Sequence, residues 1–397
     1  MPMTNATPSS PMQTWQLTAR FLTPAFLGNA EQDGQWRTPP FKHLLREWWR
    51  VAWAEANGWS SDHHAMREDE SALFGSAAGD NGQRSRVRMR LDRWDRGKLN
   101  QWQKTGTVDH PEVRAVVGAD LYMGYGPLSY DKATKVKLKN NAAIQAGEEA
   151  TLRLAFPKTD QALLDRALVL MDAFGTLGGR SRNGWGSVQL YPLPGPPPQA
   201  GEGEDGANPR AGEGAGRGGP QAEKKPLSLG ERGWGEGILR DWRDCLDRDW
   251  PHAIGRDGQG ALVWQTDAFD DWKQLMCRLA EIKIGLRTQF SFHSGRNAPR
   301  PEERHWLSYP VTNHSVKPWD DAVKQKEAKK LGLGNRLPNT LRFKAVQDAN
   351  GKLRGRIFHV PCKPPPVQFR PDIRAIEQVW RQVHAYLDGR GDLNRGL

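Results

Sequence analysis

The chain has 397 residues, of which 37% are hydrophobic and 26% are charged, and this length predicts about two to three domains. No run approaches the roughly 18 consecutive apolar residues of a membrane-spanning helix, so we expect no membrane partner. The start, MPMTNATPSS, lacks a basic stretch followed by an apolar core, and we expect a cytoplasmic protein. Cys245, Cys277 and Cys362 form no CxxC pair, which excludes a disulfide scaffold and argues against a structural zinc site.

The formal net charge is +11, which favours an anionic partner, and nucleic acid is the first candidate. The basic excess lies on both sides of a segment of unusual composition, residues 192–237, which holds 13 glycines and 8 prolines. Such a segment cannot bury enough apolar surface to offset its chain entropy. We therefore predict a disordered linker or insertion at 192–237, between domains at 1–191 and 238–397.

The first domain shows alternating strand and helix patterns. Its predicted strands and helices follow the order β-α-β-β-α-β: 15–22, 41–55, 84–91, 149–156, 161–174 and 185–190. Pro39 and Pro40 favour the start of the first helix, because proline is tolerated only in the first helical turn. Phe41, Leu44 and Trp48 fall at helical spacing on its predicted inner face. The order predicts an α+β protein with a ferredoxin-like first domain.

The second domain is less regular. Helices are predicted at 238–250, 270–286 and 373–387. Two alternating segments, 340–346 and 352–360, flank Asn350-Gly351, a strong signal for a hairpin turn. A second, more decorated ferredoxin-like fold in tandem with the first is one interpretation.

An alternating run of arginines, at Arg84, Arg86, Arg88 and Arg90, is the sharpest local feature. On a strand these side chains project from one face about 6.6 Å apart and repel each other unless an anion lies over them. Guanidinium groups bind phosphate through two parallel hydrogen bonds. A solvated face balanced by carboxylates is the alternative, and we favour phosphate binding.

A glycine-rich loop spans residues 175–188, GTLGGRSRNGWGSV. Glycines let a backbone approach a ligand closely, and Arg180 and Arg182 add charge at the same place. The loop is neither a Walker loop nor a dinucleotide fingerprint, because it follows a helix and precedes a strand. We interpret it as a clamp for a phosphate backbone, with a simple tight connection as the alternative.

The first predicted helix also carries a basic stripe, at Lys42, Arg46 and Arg50. Residues at this spacing share one face, which we expect to face RNA. We further expect the arginine strand and the glycine-rich loop to be neighbours in space that clamp one RNA backbone.

No catalytic motif is evident in the sequence. His43 falls on the first helix, whereas His63 and His64 fall in a predicted polar loop. None has the spacing of a metal site, so we expect no metal, no cofactor and no enzymatic activity.

Three segments together resemble a known family. These are FLTPAFLGNA and RTPPFKHLLREWWR within residues 21–50, ESALFGSA and QRSRVRMRL within 70–91, and the loop at 175–188. In that order they resemble the RAMP proteins of type III-B CRISPR systems, and most of all subunit one of the Cmr effector complex. Only RLPNTLRFKAV, at 336–346, resembles the family in the second domain. The residues in the positions of the family's loop are Gly178, Gly179, Arg180, Arg182, Gly184 and Gly186.

The resemblance implies two ferredoxin-like folds and a place in an antiviral ribonucleoprotein. Its implied partners are guide RNA, target RNA and other RAMP subunits, with contacts near the guide 3′ end. Cleavage of the target is assigned in the family to another subunit. Two alternatives stay open: a metal-independent ribonuclease that matures guide RNA through a histidine, and a purely architectural subunit.

Overall fold

The computed structural model describes residues 11–31, 33–77, 82–139, 143–193, 235–321, 325–326, 329–330 and 336–396. Within these ranges, no helix is both long and apolar enough to cross a membrane. The first half of the chain contains, in order, β1 (Met12–Phe21), α1 (Thr38–Ala56), α2 (His63–Phe74), β2 (Arg88–Leu91), β3 (Thr107–His110), β4 (Ala115–Gly118), α3 (Ala119–Gly124), β5 (Leu128–Asp131), β6 (Lys135–Leu138), β7 (Glu149–Pro157), α4 (Gln161–Phe174) and β8 (Val188–Pro192).

The first sheet has the predicted ferredoxin-like order. Its four antiparallel strands run β2-β7-β1-β8, so the first and third strands of the motif lie in the middle. One face of β1 buries Leu17, Ala19 and Phe21 beneath the helices, because alternate side chains point to opposite faces.

Helix α1 begins with prolines in its first turn, as predicted, and buries the predicted apolar stripe. Helix α4 spans the predicted range and packs against α1. Two hairpins, β3–β4 and β5–β6, and helices α2 and α3 are additions to the motif. Helix α2 corrects the prediction of a polar loop at His63 and His64, because Asp62 accepts hydrogen bonds from the amides of His64 and Ala65 and so starts a helix there.

The second half of the chain repeats the arrangement. Its elements are β9 (Leu239–Asp241), β10 (Ile254–Asp257), β11 (Gly260–Ala261), β12 (Val263–Thr266), α5 (Trp272–Thr288), β13 (Leu341–Gln347), β14 (Leu353–His359), α6 (Pro366–Phe369), α7 (Ile373–Asp388) and β15 (Leu393–Arg395). The sheet β13-β14-β12-β15 has the same strand order as the first sheet, with α5 and α7 as its crossing helices. The predicted hairpin is confirmed, with Gly351 in the left-handed region at φ 78°. The protein is therefore α+β, with a ferredoxin-like strand order in each of these two sheets.

The predicted helix at 238–250 is wrong. Two short 3-10 turns, Glu236–Ile238 and Asp244–Asp247, flank strand β9 instead. The backbone pairs with a strand: β9 runs parallel to β10, and the Trp242 amide donates to the Arg256 carbonyl oxygen at 3.1 Å. The apolar residues of this segment are buried in short turns just as they would be in a helix, so their spacing misled the prediction.

The two halves share a hydrophobic core. Trp48, on α1, has its ring centroid 5.5 Å from that of Phe174 and 6.4 Å from that of Phe358, on β14. Val263 and Val360 belong to the same buried cluster. Interior side chains in such clusters are closely packed, so the two sheets hold each other in place.

The predicted linker falls largely outside the described residues, which omit 194–234. Strand β8 continues to Pro192, and the next described element is the 3-10 turn Glu236–Ile238. The domain boundaries at 191 and 238 stay predictions.

Candidate nucleic-acid interface

A large cleft opens between the two halves of the molecule. Its volume is about 1780 Å³, and its walls come from the start of α1, the glycine-rich loop, the β4–α3 segment, the end of α5 and the residues around Arg304 and Arg336. A cleft of this size exceeds the roughly 300–1,000 Å³ of a typical small-molecule pocket. It can therefore accommodate part of a polymer.

The cleft is strongly basic. Glu47 and Glu112 are the two acidic residues among its described lining residues. Glu47 pairs with Arg342 at 2.7 Å, and Glu112 pairs with Arg304. The basic side chains that line it number eight: Arg37, Arg180, Arg182, Lys283, Arg287, Arg304, Arg336 and Arg342. Positive charge is thus in large excess over negative charge in the described wall.

Burial and repulsion between neighbouring positive charges disfavour the charged forms of several of these side chains. Burial lowers the pKa of Arg180, and the nearby charges of Arg336 and Arg287 lower it further. Burial, followed by the charge of Arg342, lowers the pKa of Arg182 to about 10. Lys283 is deeply buried, so its pKa falls well below the ordinary value, with added repulsion from Arg287 and Arg180. An anion in the cleft would relieve both effects.

Several guanidinium nitrogens in the wall lack partners. The Nε atoms of Arg37, Arg287, Arg304 and Arg342 are buried and have no hydrogen-bond partner within the described structure. Unsatisfied buried donors are costly and rare in proteins. These atoms are candidates for hydrogen bonds to a ligand.

The glycine-rich loop forms one wall of the cleft, and its glycines are required by close packing. A side chain on Gly186, at φ 64°, would put its Cβ only 1.9 Å from the Leu177 carbonyl oxygen. A Cβ on Gly178, at φ 92°, would lie 2.6 Å from the Phe26 carbonyl oxygen. Gly178 is nevertheless exposed, and Arg180 projects from the loop at φ 58°, a region that disfavours residues other than glycine.

The same loop attaches the two halves to each other. The Phe343 amide, on β13, donates to the Arg182 carbonyl oxygen at 3.1 Å. Lys283 donates to the Asn183 side chain at 2.6 Å, and Asn183 donates to the Met123 carbonyl oxygen at 2.7 Å. The loop is therefore both a tight connection and a wall of the basic cleft, so the two interpretations made from its sequence are compatible.

The basic stripe of α1 has intramolecular partners. Arg50 makes two hydrogen bonds to Glu70 on α2, at 2.5 and 2.8 Å, and Arg46 lies 3.1 Å from the same carboxylate. Lys42 donates to the Ser85 hydroxyl at 2.7 Å. These contacts fix α2 and the β2 region on α1. Any contact of Lys42, Arg46 and Arg50 with RNA stays a proposal.

The arginine run is exposed, as its alternation predicted. Arg84, Arg86, Arg88 and Arg90 are all exposed, while Val87 and Leu91 are buried, although strand β2 covers only the second half of the run. Arg86 lies 3.3 Å from Asp160. Arg90 lies directly opposite Arg153 on β7, and like charges in this position repel each other.

The predicted proximity of the arginine strand and the glycine-rich loop is wrong. Strands β2 and β8 are the two edges of the sheet, roughly 14 Å apart across three strand spacings. Arg88 lies opposite Ala155, near the end of β7, whereas the loop enters β8 beside the start of β7. That adds roughly 20 Å along the strands. The loop after the second helix reaches the sheet at the opposite edge and the opposite end, so a single short clamp cannot form.

The three histidines considered for catalysis lie in different places. His43 lines the basic cleft. His63 accepts a hydrogen bond from the Trp250 indole at 3.0 Å, and His64 is exposed beside Glu68. Within the described ranges, no group of three or more His, Cys, Asp or Glu could hold a metal ion, and the three cysteines are free.

Sequence reasoning missed most of the cleft residues. Arg287 lies in the last turn of α5, and Arg304 lies in the short 3-10 turn Glu303–Trp306. Lys283 is buried on a largely apolar face of α5. Nothing in their local sequence distinguishes them from surface cations. For the other cleft cations that were not predicted from the sequence, the signal was the resemblance: Arg37 begins the RTPPFKHLLREWWR segment, and Arg336 and Arg342 fall in RLPNTLRFKAV.

Comparison with known proteins supports the recognition made from the sequence. Residues 18–189 match the model of the RAMP superfamily, which covers the first sheet and the glycine-rich loop. Over this range, which is less than half of the chain, the sequence is similar to the RAMP superfamily. No curated protein matches the chain.

Solved structures with a similar trace include Cmr1 from Pyrococcus furiosus, in its apo form, at 15% identity and a TM-score of 0.40, covering 94% of this chain and 96% of that one. A second is a chain of the type III-B Cmr-beta complex bound to cognate target RNA and AMPPnP in the presence of ssDNA, at 11% identity and a TM-score of 0.41, covering 95% and 99%. A third, from Cmr-beta bound to cognate target RNA, has 11% identity and a TM-score of 0.39, covering 94% and 99%.

Proposed function

We propose that this protein is a non-catalytic, RNA-binding subunit of a type III-B CRISPR effector complex. The observation that carries the proposal is the cleft between the two halves, where eight basic side chains face two carboxylates. Phosphate contacts dominate the affinity of proteins for nucleic acids, and such a cleft provides them without an assembled catalytic site. The RAMP match at 18–189 and the sequence motifs of the first half support the type of complex.

The proposed partners are guide RNA, target RNA and other RAMP subunits, with contact near the guide 3′ end. In an RNA-guided complex, base pairing supplies sequence specificity, and the protein binds the backbone. Arginine side chains from both halves converge on the cleft, which suits a backbone of irregular path. We therefore expect little sequence preference in the isolated subunit.

The exposed arginines at Arg84, Arg86, Arg88 and Arg90 form a proposed second contact surface. Strand β2 and the glycine-rich loop lie at opposite edges of the first sheet, so we do not expect these arginines and Arg180 to bind the same phosphate. The repulsion between Arg90 and Arg153 across the strands would be relieved by a phosphate between them. A longer RNA or a second strand would be needed to engage this surface and the cleft together.

The salt dependence of RNA affinity tests the proposal. An Arg180→Ala, Arg182→Ala double variant should weaken binding of unrelated RNA sequences equally. It should also reduce the slope of log affinity against log salt by roughly 0.7 for each lost phosphate contact. Arg381→Ala is the matched control, because this exposed arginine on α7 pairs with Glu377 at 2.9 Å and does not line the cleft. An unchanged slope in the double variant would favour the purely architectural role instead.

A second candidate function is metal-independent RNA cleavage. The observation that favours it is the position of His43, which shares the cleft with the arginines, whereas His63 and His64 do not line it. Imidazole can move the proton of a ribose hydroxyl, and guanidinium groups can stabilise the phosphate charge. Labelled repeat RNA incubated in chelator should be cut by wild type and by His64→Ala but not by His43→Ala. Intact RNA in all three reactions would reject this function.

A further inference from the structure

An exposed aromatic ring lies at the rim of the basic cleft. Tyr125 follows α3, lines the cleft, and is 64% exposed. Large aromatic side chains usually bury their rings, and they stack on bases where nucleic acid is bound. No hydrogen bond or ring contact to the Tyr125 side chain is found in the described part of the chain. Its ring face is therefore available to a ligand.

The backbone of Tyr125, in contrast, is fixed on both sides. Its amide donates to the Leu121 carbonyl oxygen at 2.9 Å, and its own carbonyl oxygen accepts a 2.6 Å hydrogen bond from Nε of Arg180. The next residue, Gly126, donates to the Leu128 carbonyl oxygen at 3.0 Å. A fixed backbone that presents a free ring is a preorganised arrangement, which lowers the entropic cost of binding.

Arg180 connects this ring to the charged wall. Its backbone is held at φ 58°, a conformation that costs a non-glycine residue energy and that is concentrated at functional sites. Its Nε donates to the Tyr125 carbonyl oxygen, and no hydrogen-bond partner is found for its two terminal nitrogens within the described residues. A base on the ring and its phosphate on these nitrogens would use adjacent groups of one nucleotide.

We propose that Tyr125 is a stacking platform for an unpaired base, so that the cleft binds single-stranded RNA. The proposal rests on the RNA-binding function proposed above and names the form of RNA. Bases within a duplex already stack on both faces, whereas an unpaired or terminal base has a free face for an aromatic ring. Duplex RNA would satisfy the arginines but leave the ring unused.

The test compares three variants with wild type on a single-stranded oligoribonucleotide, on the same strand made fully duplex, and on a strand with abasic sites. Tyr125→Leu should weaken single-strand binding roughly 5- to 100-fold, the loss expected for one stacked base. Tyr125→Phe should bind like wild type, because it keeps the ring. Tyr130→Leu is the control, because Tyr130 is 58% exposed on the neighbouring β5 but does not line the cleft.

The measurements distinguish the stacking role of Tyr125 from the proposed RNA-binding function. Tyr125→Leu should leave the salt slope unchanged and should not weaken binding of the abasic strand, whereas the Arg180, Arg182 double variant reduces the slope. If wild type binds no RNA, the proposed function itself fails. If RNA binds through the arginines but Tyr125→Leu matches wild type, or if wild type binds duplex as tightly as single strand, the stacking proposal alone is overturned.

Discussion

The Nζ atom of Lys344, on β13, donates a 2.7 Å hydrogen bond to the carbonyl oxygen of Gly175, which ends α4 and opens the glycine-rich loop. The same Nζ donates to the Val188 carbonyl oxygen at 2.5 Å. Nearby, Arg356 donates to the Ala173 carbonyl oxygen at 2.6 Å. Two cations of the second sheet thus bind the free carbonyls at the carboxyl end of a helix in the first half, where the helix dipole is negative.

Lys344 should make stability depend on pH. Burial lowers its pKa to about 7, against the opposing charge of Asp172. Between that pH and about 10.4, the unfolded chain binds a proton that the folded chain has lost, so the free energy of unfolding rises with pH. Lys344→Met should remove up to about 1.4 kcal/mol per pH unit of this rise. Chemical denaturation at several pH values measures it, with the exposed Lys317→Met as control; equal slopes in wild type and Lys344→Met would contradict the assignment.

The pair His359 and His384 should destabilise the fold in acid. Both are buried, their ring nitrogens lie 3.0 Å apart, and burial lowers the pKa of His384 to about 3 and that of His359 well below its usual value. The unfolded histidines take up protons near pH 6.5, so stability present above about 6.5 is lost as the pH falls toward the folded values.

His384→Gln should therefore lose less stability than wild type between about pH 7.5 and about pH 5. The exposed His64→Gln serves as the matched control and should behave like wild type. The unfolding free energy at the two pH values is the measurement. A wild-type acid response in His384→Gln would show that other groups cause it.

Trp48 should be among the most sensitive core positions. It is 1% exposed and contacts aromatic rings from both halves, so Trp48→Ala should cost roughly 3–5 kcal/mol. Trp94, which is 55% exposed, provides the comparison and should cost within about 0.5 kcal/mol when replaced by alanine. Equal melting temperatures of the two variants would mean that the shared core contributes little.

Gly186 should not tolerate a side chain. Its positive φ and the 1.9 Å approach to the Leu177 carbonyl oxygen predict that Gly186→Ala destabilises by more than about 1 kcal/mol. Gly258→Ala is the control, since a Cβ there meets nothing within 4 Å. Thermal unfolding of both variants decides the matter, and a Gly186→Ala protein as stable as the control would show that the loop can relax.

The sequence predicted most helices and strands because their apolar periodicity is local. Helix α4 spans the range that its pattern predicted, and the Asn350-Gly351 hairpin forms as expected. The segment 238–250 failed because burial of Trp242 depends on pairing with β10, which no local pattern records. This prediction failed because a distant strand decides the structure of the segment, whereas the loop predicted at His63 and His64 failed because the local cap at Asp62 was missed.

The candidate site was only partly predictable for the same reason. Arg180 and Arg182 were found because they lie in a recognisable glycine-rich loop. Arg287 and Arg304 become cleft residues only when the second half packs against the first. The proposed clamp with Arg88 failed because the strand order, rather than the sequence of elements, decides which edge each segment occupies.

The core shared by Trp48, Phe174 and Phe358 has a consequence for how the cleft could work. A hinge motion that separates the two halves would expose this core to water. We therefore expect the cleft to keep the same width with and without a ligand. A nucleic acid strand would have to adapt its own path to a rigid, charged channel. We expect the strand, rather than the protein, to lose conformational freedom on binding.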